Sequence, residues 1–212
     1  MTAFWLRAVY AWDRIRFALF RLRHRQRLTC AGPVSPNLRL ARLRVEPGAR
    51  VVLGAGVATE RQPGNHLWVQ RDGILELDRE TWLRTEYGPN YLTVYPGARI
   101  RIGARSLVNG AMIVAKSSVT IGEDARIAFG VRILDSDLHD LDAETPERSS
   151  PIRIGARVWI GANVIVLPGV TIGDDVVVGA GSVVTGDIPA RVLAIGSPAR
   201  PVRSVATREG CR

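Results

Sequence analysis

Cysteine, histidine and lysine are nearly missing from this chain. Its 212 residues include two cysteines (Cys30 and Cys211), three histidines (His24, His66 and His139) and one lysine (Lys116). Two distant cysteines without paired spacing exclude a disulfide framework and a thiolate zinc site, and they fit a reducing compartment. Long apolar runs are also lacking. The N-terminal stretch is broken by arginine too often for a spanning helix, which needs about 20 largely apolar residues, and it lacks the apolar run of a signal peptide. What is present is a chain that is 46% hydrophobic, long enough for one domain with a real core, and rich in glycine (21) and proline (12). That balance predicts many turns between short strands.

Charge is unevenly spread. The formal net charge is +9, carried by arginine, and residues 1–30 hold seven arginines against one aspartate. The remaining residues are close to balanced, which argues against a general nucleic-acid-binding surface. Within residues 4–27, Trp5, Ala8, Trp12, Ile15, Leu19 and Leu22 recur at helical spacing, with Arg7, Arg14 and Arg21 opposite. This predicts a basic amphipathic helix over residues 1–28. Two readings stay open: the helix packs on protein, or its Trp/Leu face lies in a lipid boundary with arginines on anionic headgroups. Residues 28–37, "LTCAGPVSPN", read as a linker.

The organising feature is a period of six. Ile154, Ile160, Val166, Ile172, Val178 and Val184 follow one another without a slip. Ile121, Ile127 and Ile133 keep the same spacing, as do Ile102, Val108 and Val114 with one extra residue before Ile121. Val45, Val51 and Val57 hint at an earlier start. Six is neither a helical period nor plain hairpin spacing. It predicts coils of three short strands whose aliphatic residues stack into a continuous core. Residues 58–95 are less regular and more aromatic, so distorted coils and an inserted hairpin both remain open. The predicted organisation is a basic helix (1–28), a linker with irregular early coils (29–95), regular coils (96–190) with a loop at 135–151, and a C-terminal segment (191–212).

The stretch "IRIGARVWIGANVIVLPGVTIGDDVVVGAGSVVTGDIPARVLAIGSPARPVR" (152–203) resembles the hexapeptide-repeat acyltransferase superfamily, most closely its sugar O-acetyltransferase branch. The resemblance covers roughly residues 96–203. It implies an all-β solenoid, a left-handed parallel β-helix preceded by the N-terminal α-helix. It also implies homotrimers, acetyl-CoA as co-substrate, and active sites between neighbouring protomers.

One interruption of the rhythm carries the candidate chemistry. From Ile133 to Ile154 is 21 residues, against about 18 for a full coil of this period. The polar excursion "DSDLHDLDAETPERSSP" (135–151) is where the family carries its catalytic histidine, which maps to His139. A neutral imidazole can take a proton from a sugar hydroxyl as it attacks a thioester. Asp137 and Asp142 are candidates to orient that ring, Asp142 first. An ordinary loop histidine and a metal ligand are the competing readings. A metal site of the carbonic anhydrase type needs three histidines, and neither His24 nor His66 is spaced to join His139, so no metal is expected.

Other roles also follow from the resemblance. Asn109 in "NGAMIVAKSSVTIG" maps to an asparagine that contacts the acceptor sugar. Trp159 maps to an aromatic near the acyl donor, Ala162, Ala180 and Thr185 to positions lining the pantetheine arm, and Arg203, with Arg200, to contacts with CoA phosphates. Gly186 stands where relatives carry a lysine, which removes one phosphate contact. The expected function is O-acetylation of a sugar or surface-polysaccharide precursor, with xenobiotic acetylation and a non-catalytic scaffold as alternatives. The expected location is cytoplasmic, at the inner membrane face if the helix binds lipid. A membrane contact through residues 1–28 is the expected partner surface besides the glycan.

Overall fold

In the computed structural model, which describes residue 12 and residues 15–209, the chain winds as a three-sided parallel coil. Successive strands visit three sheets in a fixed order, here sides 1, 2 and 3. One full turn runs through Arg99–Ile102 (side 1), Leu107–Asn109 (side 2) and Met112–Ala115 (side 3). Strands pair with the equivalent strand of the next turn, always in parallel until the last pair.

The aliphatic rhythm builds three inward columns. Side 1 stacks Leu53, Leu77, Ile102, Ile121, Ile154 and Ile172. Side 2 stacks Leu83, Val108, Ile127, Ile160 and Val178, ending on Ala194. Side 3 stacks Leu67, Leu92, Ile113, Ile133, Val166 and Val184. Every one of these residues is buried, so burial of this continuous column is the main stabilising term.

Three expectations need correction. The inward residue in the Met112–Ala115 strand is Ile113, not Val114, because it is Ile113 that pairs with Ile133; the corner at Gly110 is one residue tighter than the rhythm assumed. Second, Ile133 and Ile154 lie on adjacent sides 3 and 1, a step that takes six residues between Val166 and Ile172. The right comparison is therefore a six-residue step rather than a full coil of 18, and the excursion adds fifteen residues to that step. Third, residues 28–37 are not a free linker. Leu28–Cys30 pairs in parallel with Arg50–Leu53, and Leu28 is buried.

The early stretch forms coils rather than an inserted hairpin. Strands Asn65–Val69, Ile74–Leu77, Trp82–Arg84 and Asn90–Val94 stay in register with the later turns. Each early turn is longer, with side-1 partners Leu53, Leu77 and Ile102 spaced by 24 and 25 residues rather than 18. Longer sides hid the six-residue period.

The glycines of the "IG" pairs between Ile102 and Gly173 have a packing reason. A Cβ on Gly122 would lie 2.6 Å from Ala156 N in the next turn, and one on Gly155 would lie 2.8 Å from the Gly173 carbonyl carbon. Stacked backbones leave no room there for a side chain.

Both ends are covered. Helix α1 (15–23) places Phe17 in the core, with Phe20 packed beside it. At the other end Val192–Gly196 continues side 2, and Ala199–Ser204 folds back antiparallel on it. Trp5, Ala8, Arg7, Arg14 and Cys211 lie outside the described residues.

Candidate active site

The excursion 135–151 leaves side 3 after Arg132–Leu134 and rejoins side 1 at Ile152–Ile154. Its neck is pinched. Ser136 and Ser149 form an antiparallel bridge, and Ser150 N–H donates to Asp135 O at 2.8 Å. Asp135 is fully buried, and its carboxylate accepts the backbone N–H groups of Lys116 (2.7 Å) and Ser117 (2.8 Å). Burial pushes its carboxyl upward, and these hydrogen bonds pull against that.

The four aspartates around His139 have separate tasks. Asp135 anchors the neck. Asp137 faces Arg148 at 3.5 Å, and Asp140 accepts Glu147 N–H at 2.6 Å. Asp142 accepts the backbone N–H groups of Glu144 (2.9 Å) and Thr145 (2.8 Å), which holds its carboxyl below the usual range. Its Oδ1 caps this turn, and among the described residues no hydrogen bond joins Asp142 or Asp137 to His139.

The carboxylate held most firmly in this loop beside Asp135 is Glu147, which sequence reasoning did not single out. Glu147 accepts the Lys116 ammonium at 2.7 Å and the Ser136 hydroxyl, and these contacts, Lys116 first, hold its carboxyl low. Ser136 Oγ in turn accepts Leu138 N–H at 2.9 Å. Leu138 sits at φ +67°, a costly conformation for a branched side chain, immediately before His139. His139 itself is exposed. Lys116, Ser136 and Glu147 thus form a buttress behind an outward histidine. No spacing rule signals it, because its members come from two turns.

The other predicted residues fall on three lines along the prism. Asn109 lies at the corner between sides 2 and 3, and so do Ala162 and Ala180. This corner is continuous: Gly130 N–H donates to Gly110 O, and Gly181 N–H to Ala162 O, both at 2.8 Å. Asn109 is buried, and its carboxamide oxygen has no protein partner. Beside it runs a groove lined by Tyr87, Tyr91, Met112, Phe129 and Arg132, with the Tyr87 and Phe129 rings 5.5 Å apart. Ala162 is half-buried and Ala180 exposed, and a Cβ on Gly181 would meet nothing within 4 Å. The corner can take a thin chain against its backbone.

Trp159 and Arg203 belong to side 2. Trp159 pairs with Val177, Val177 with Leu193, and Leu193 with Arg203, so both share one outward row. The Trp159 ring is half-exposed and overlain at 5.5 Å by the guanidinium of Arg208, a second residue the sequence did not signal. Arg208 is fixed by its N–H to Asp175 (2.8 Å) and by its Nε to Arg157 O (3.1 Å). Arg200 and Arg203 are exposed, and among the described residues their guanidinium groups bond only backbone carbonyls, of Ala199 and Ser204. Thr185 lies at the opposite corner, between sides 3 and 1, on the same edge as the His139 excursion.

One chain therefore does not gather these residues. Asn109, Ala162 and Ala180 occupy one edge of side 3, while His139 and Thr185 occupy the other. A strand of about five residues, about 16 Å, separates the edges. Among the described residues no cluster of His, Cys, Asp and Glu could hold a metal ion.

Comparison with known proteins agrees with this architecture. Residues 151–186 match the family model for bacterial transferase hexapeptide (six repeats). The chain is 43% identical over 117 residues to galactoside O-acetyltransferase of Escherichia coli (strain K12), a match covering 53% of this chain and 58% of that protein. It thus spans little more than half the length of that relative. Among solved structures, a hexapeptide-repeat-containing acetyltransferase of Vibrio cholerae complexed with acetyl-coenzyme A is 31% identical. Its TM-score is 0.54, and the match covers 63% of this chain and 71% of that one. The polySia-specific acetyltransferase NeuO, 23% identical with TM-score 0.54, covers 88% of this chain and 92% of its own, which shows shared fold alone. Parallel coils of six-residue sides, the motif "IGANVIVLPGVTIG" and these matches lead to one statement: the chain belongs to the hexapeptide-repeat acetyltransferases.

Proposed function

We propose that this protein is an acetyl-CoA-dependent O-acetyltransferase acting on a hydroxyl of a sugar or surface-polysaccharide precursor, as a homotrimer of left-handed β-helices. The observation that carries the reading is the split across side 3. The histidine with its buttress stands on one edge, and Asn109, with an orphaned buried oxygen, stands on the other. A neighbouring protomer would bring one edge against the other and complete a site that neither chain holds alone.

In that site His139 takes the proton from the acceptor hydroxyl, and the hydroxyl oxygen attacks the thioester carbonyl carbon. Negative charge grows on the carbonyl oxygen and is met by a backbone N–H along a coil edge. The carbon–sulfur bond then breaks, and the imidazolium returns its proton to the departing thiolate. Lys116 and Ser136 keep Glu147 in place in the loop that carries His139, where its negative charge would favour the imidazolium. The Asn109 oxygen accepts a hydroxyl of the acceptor, which ends its isolation. Ala162 and Ala180 leave their edge open for the pantetheine arm, Thr185 flanks the other edge, and Trp159 with Arg203 lines the outward row towards the phosphates.

The test is CoA release against a panel of sugars and oligosaccharides. His139→Ala should lose about 10²–10⁴ in rate while keeping its mass in solution and its affinity for CoA. Unchanged turnover would remove His139 from its role. No release with any sugar would leave a coiled scaffold as the better reading, and release only with an antibiotic would move the substrate class.

A further inference from the structure

We propose that helix α1, together with Trp12, is a docking surface for an anionic lipid bilayer. The helix has two apolar faces. Phe17 and Phe20 face inward, with ring centroids 6.1 Å apart, and Phe20 lies 4.8 Å from the His24 ring. Among the described residues the other face has no partner: Trp12, Ile15, Leu19 and Leu22 are 56%, 52%, 61% and 59% exposed. At 3.6 residues per turn these four fall within one strip about 80° wide. Arg16 and Arg23 border the strip on one side and Arg21 and Arg25 on the other, and all four are exposed.

Charge decides the occupant. Between residues 14 and 45 the chain holds nine arginines and no acidic residue. An apolar strip bordered on both sides by cations matches a surface with anionic headgroups above and acyl chains beneath. The Arg16 guanidinium lies 5.5 Å over the Trp12 ring, and an indole paired with a cation suits the interfacial depth. A second copy on the same strip would press two sets of arginines together. A nucleic acid would engage the arginines and leave the strip in water. No helix among the described residues is long and apolar enough to cross a membrane, so the expected contact lies along the surface.

The test is co-sedimentation of the full chain with vesicles of phosphatidylcholine alone and of phosphatidylcholine with phosphatidylserine in equal parts. Binding should be confined to the anionic vesicles and fall with added salt. Arg16→Gln and Arg23→Gln should each weaken it roughly fivefold. Leu19→Asp with Leu22→Asp should abolish it, with the unfolding midpoint unchanged because neither side chain enters the core. Three results would overturn the proposal: no binding to anionic vesicles, equal binding to neutral ones, or binding that survives the paired leucine change, which would be arginine adsorption without docking. A fall in solution mass in the paired leucine variant would also overturn it, by assigning the strip to a contact between copies.

Discussion

Lys116 and Glu147 meet at 2.7 Å across a sequence gap of 31 residues. The lysine leaves the end of a side-3 strand, and the glutamate returns from the far leg of the excursion that carries His139. The chain's single lysine also lies 4.9 Å over the Tyr95 ring, so it links an earlier coil to the loop. Glu147→Gln keeps the shape and removes the charge. It should lower kcat by between about tenfold and a hundredfold, the scale of a misplaced catalytic group, with the acceptor KM little changed. Lys116→Met should add little on top of it, because both changes break one buttress. Additive losses would separate the two residues.

Asn109→Ala separates binding from folding. The carboxamide oxygen is buried without a protein partner, so its removal relieves a cost. Thermal unfolding should show a variant at least as stable as the parent. Acceptor KM should rise by about tenfold to a hundredfold, the worth of one or two hydrogen bonds to a sugar hydroxyl.

Gly122→Ala tests the stacking of the coils. Its Cβ would stand 2.6 Å from the next turn's backbone, which cannot move away alone. A loss of about 1–3 kcal/mol is expected in denaturant unfolding. Gly181→Ala, with open space around its Cβ but φ +71°, should lose only the backbone term of about 1–2 kcal/mol and bind CoA less well.

Asp175 sets an acid limit. It is nearly buried, accepts Arg157 at 2.7 and 2.9 Å, and also holds Thr207 and Arg208, so its carboxyl lies far below the ordinary range, chiefly through Arg157. The folded value is below the unfolded one, so the unfolded chain binds the proton more readily. The stabilisation is full above about pH 4, the ordinary aspartate value, and fades as pH falls below it. Asp175→Asn should flatten that part of the stability–pH curve. It should also cost about 3 kcal/mol at neutral pH, because Arg157 loses its partner. Release of the 205–209 segment should then expose Trp159 to a fluorescence quencher.

The coil was legible where its sides are six residues long, from Ile102 to Val184. It was not legible in the first coils, where leucines replace isoleucines and each turn gains six or seven residues. The excursion that carries His139 could be found because a strict rhythm makes its own interruption visible. Glu147 could not, since only the closed neck of the loop brings it to Lys116 and Ser136. The aspartates were overcounted as partners for the histidine because short acidic side chains in a turn bond first to nearby backbone N–H groups, as Asp142 does. In the helix, periodicity identified the Trp12–Leu22 strip but not its direction. Phe17 and Phe20 offered a second apolar face, and that face took the core.

The antiparallel return of Ala199–Ser204 bears on how the rod ends. Every preceding turn offers its successor a parallel row of unpaired N–H and C=O groups, a template that an identical molecule could extend without limit. The last strand presents that row with reversed polarity, and Pro201 within it supplies no N–H. On side 2 the growing edge is thereby closed, as a filament is by a capping subunit.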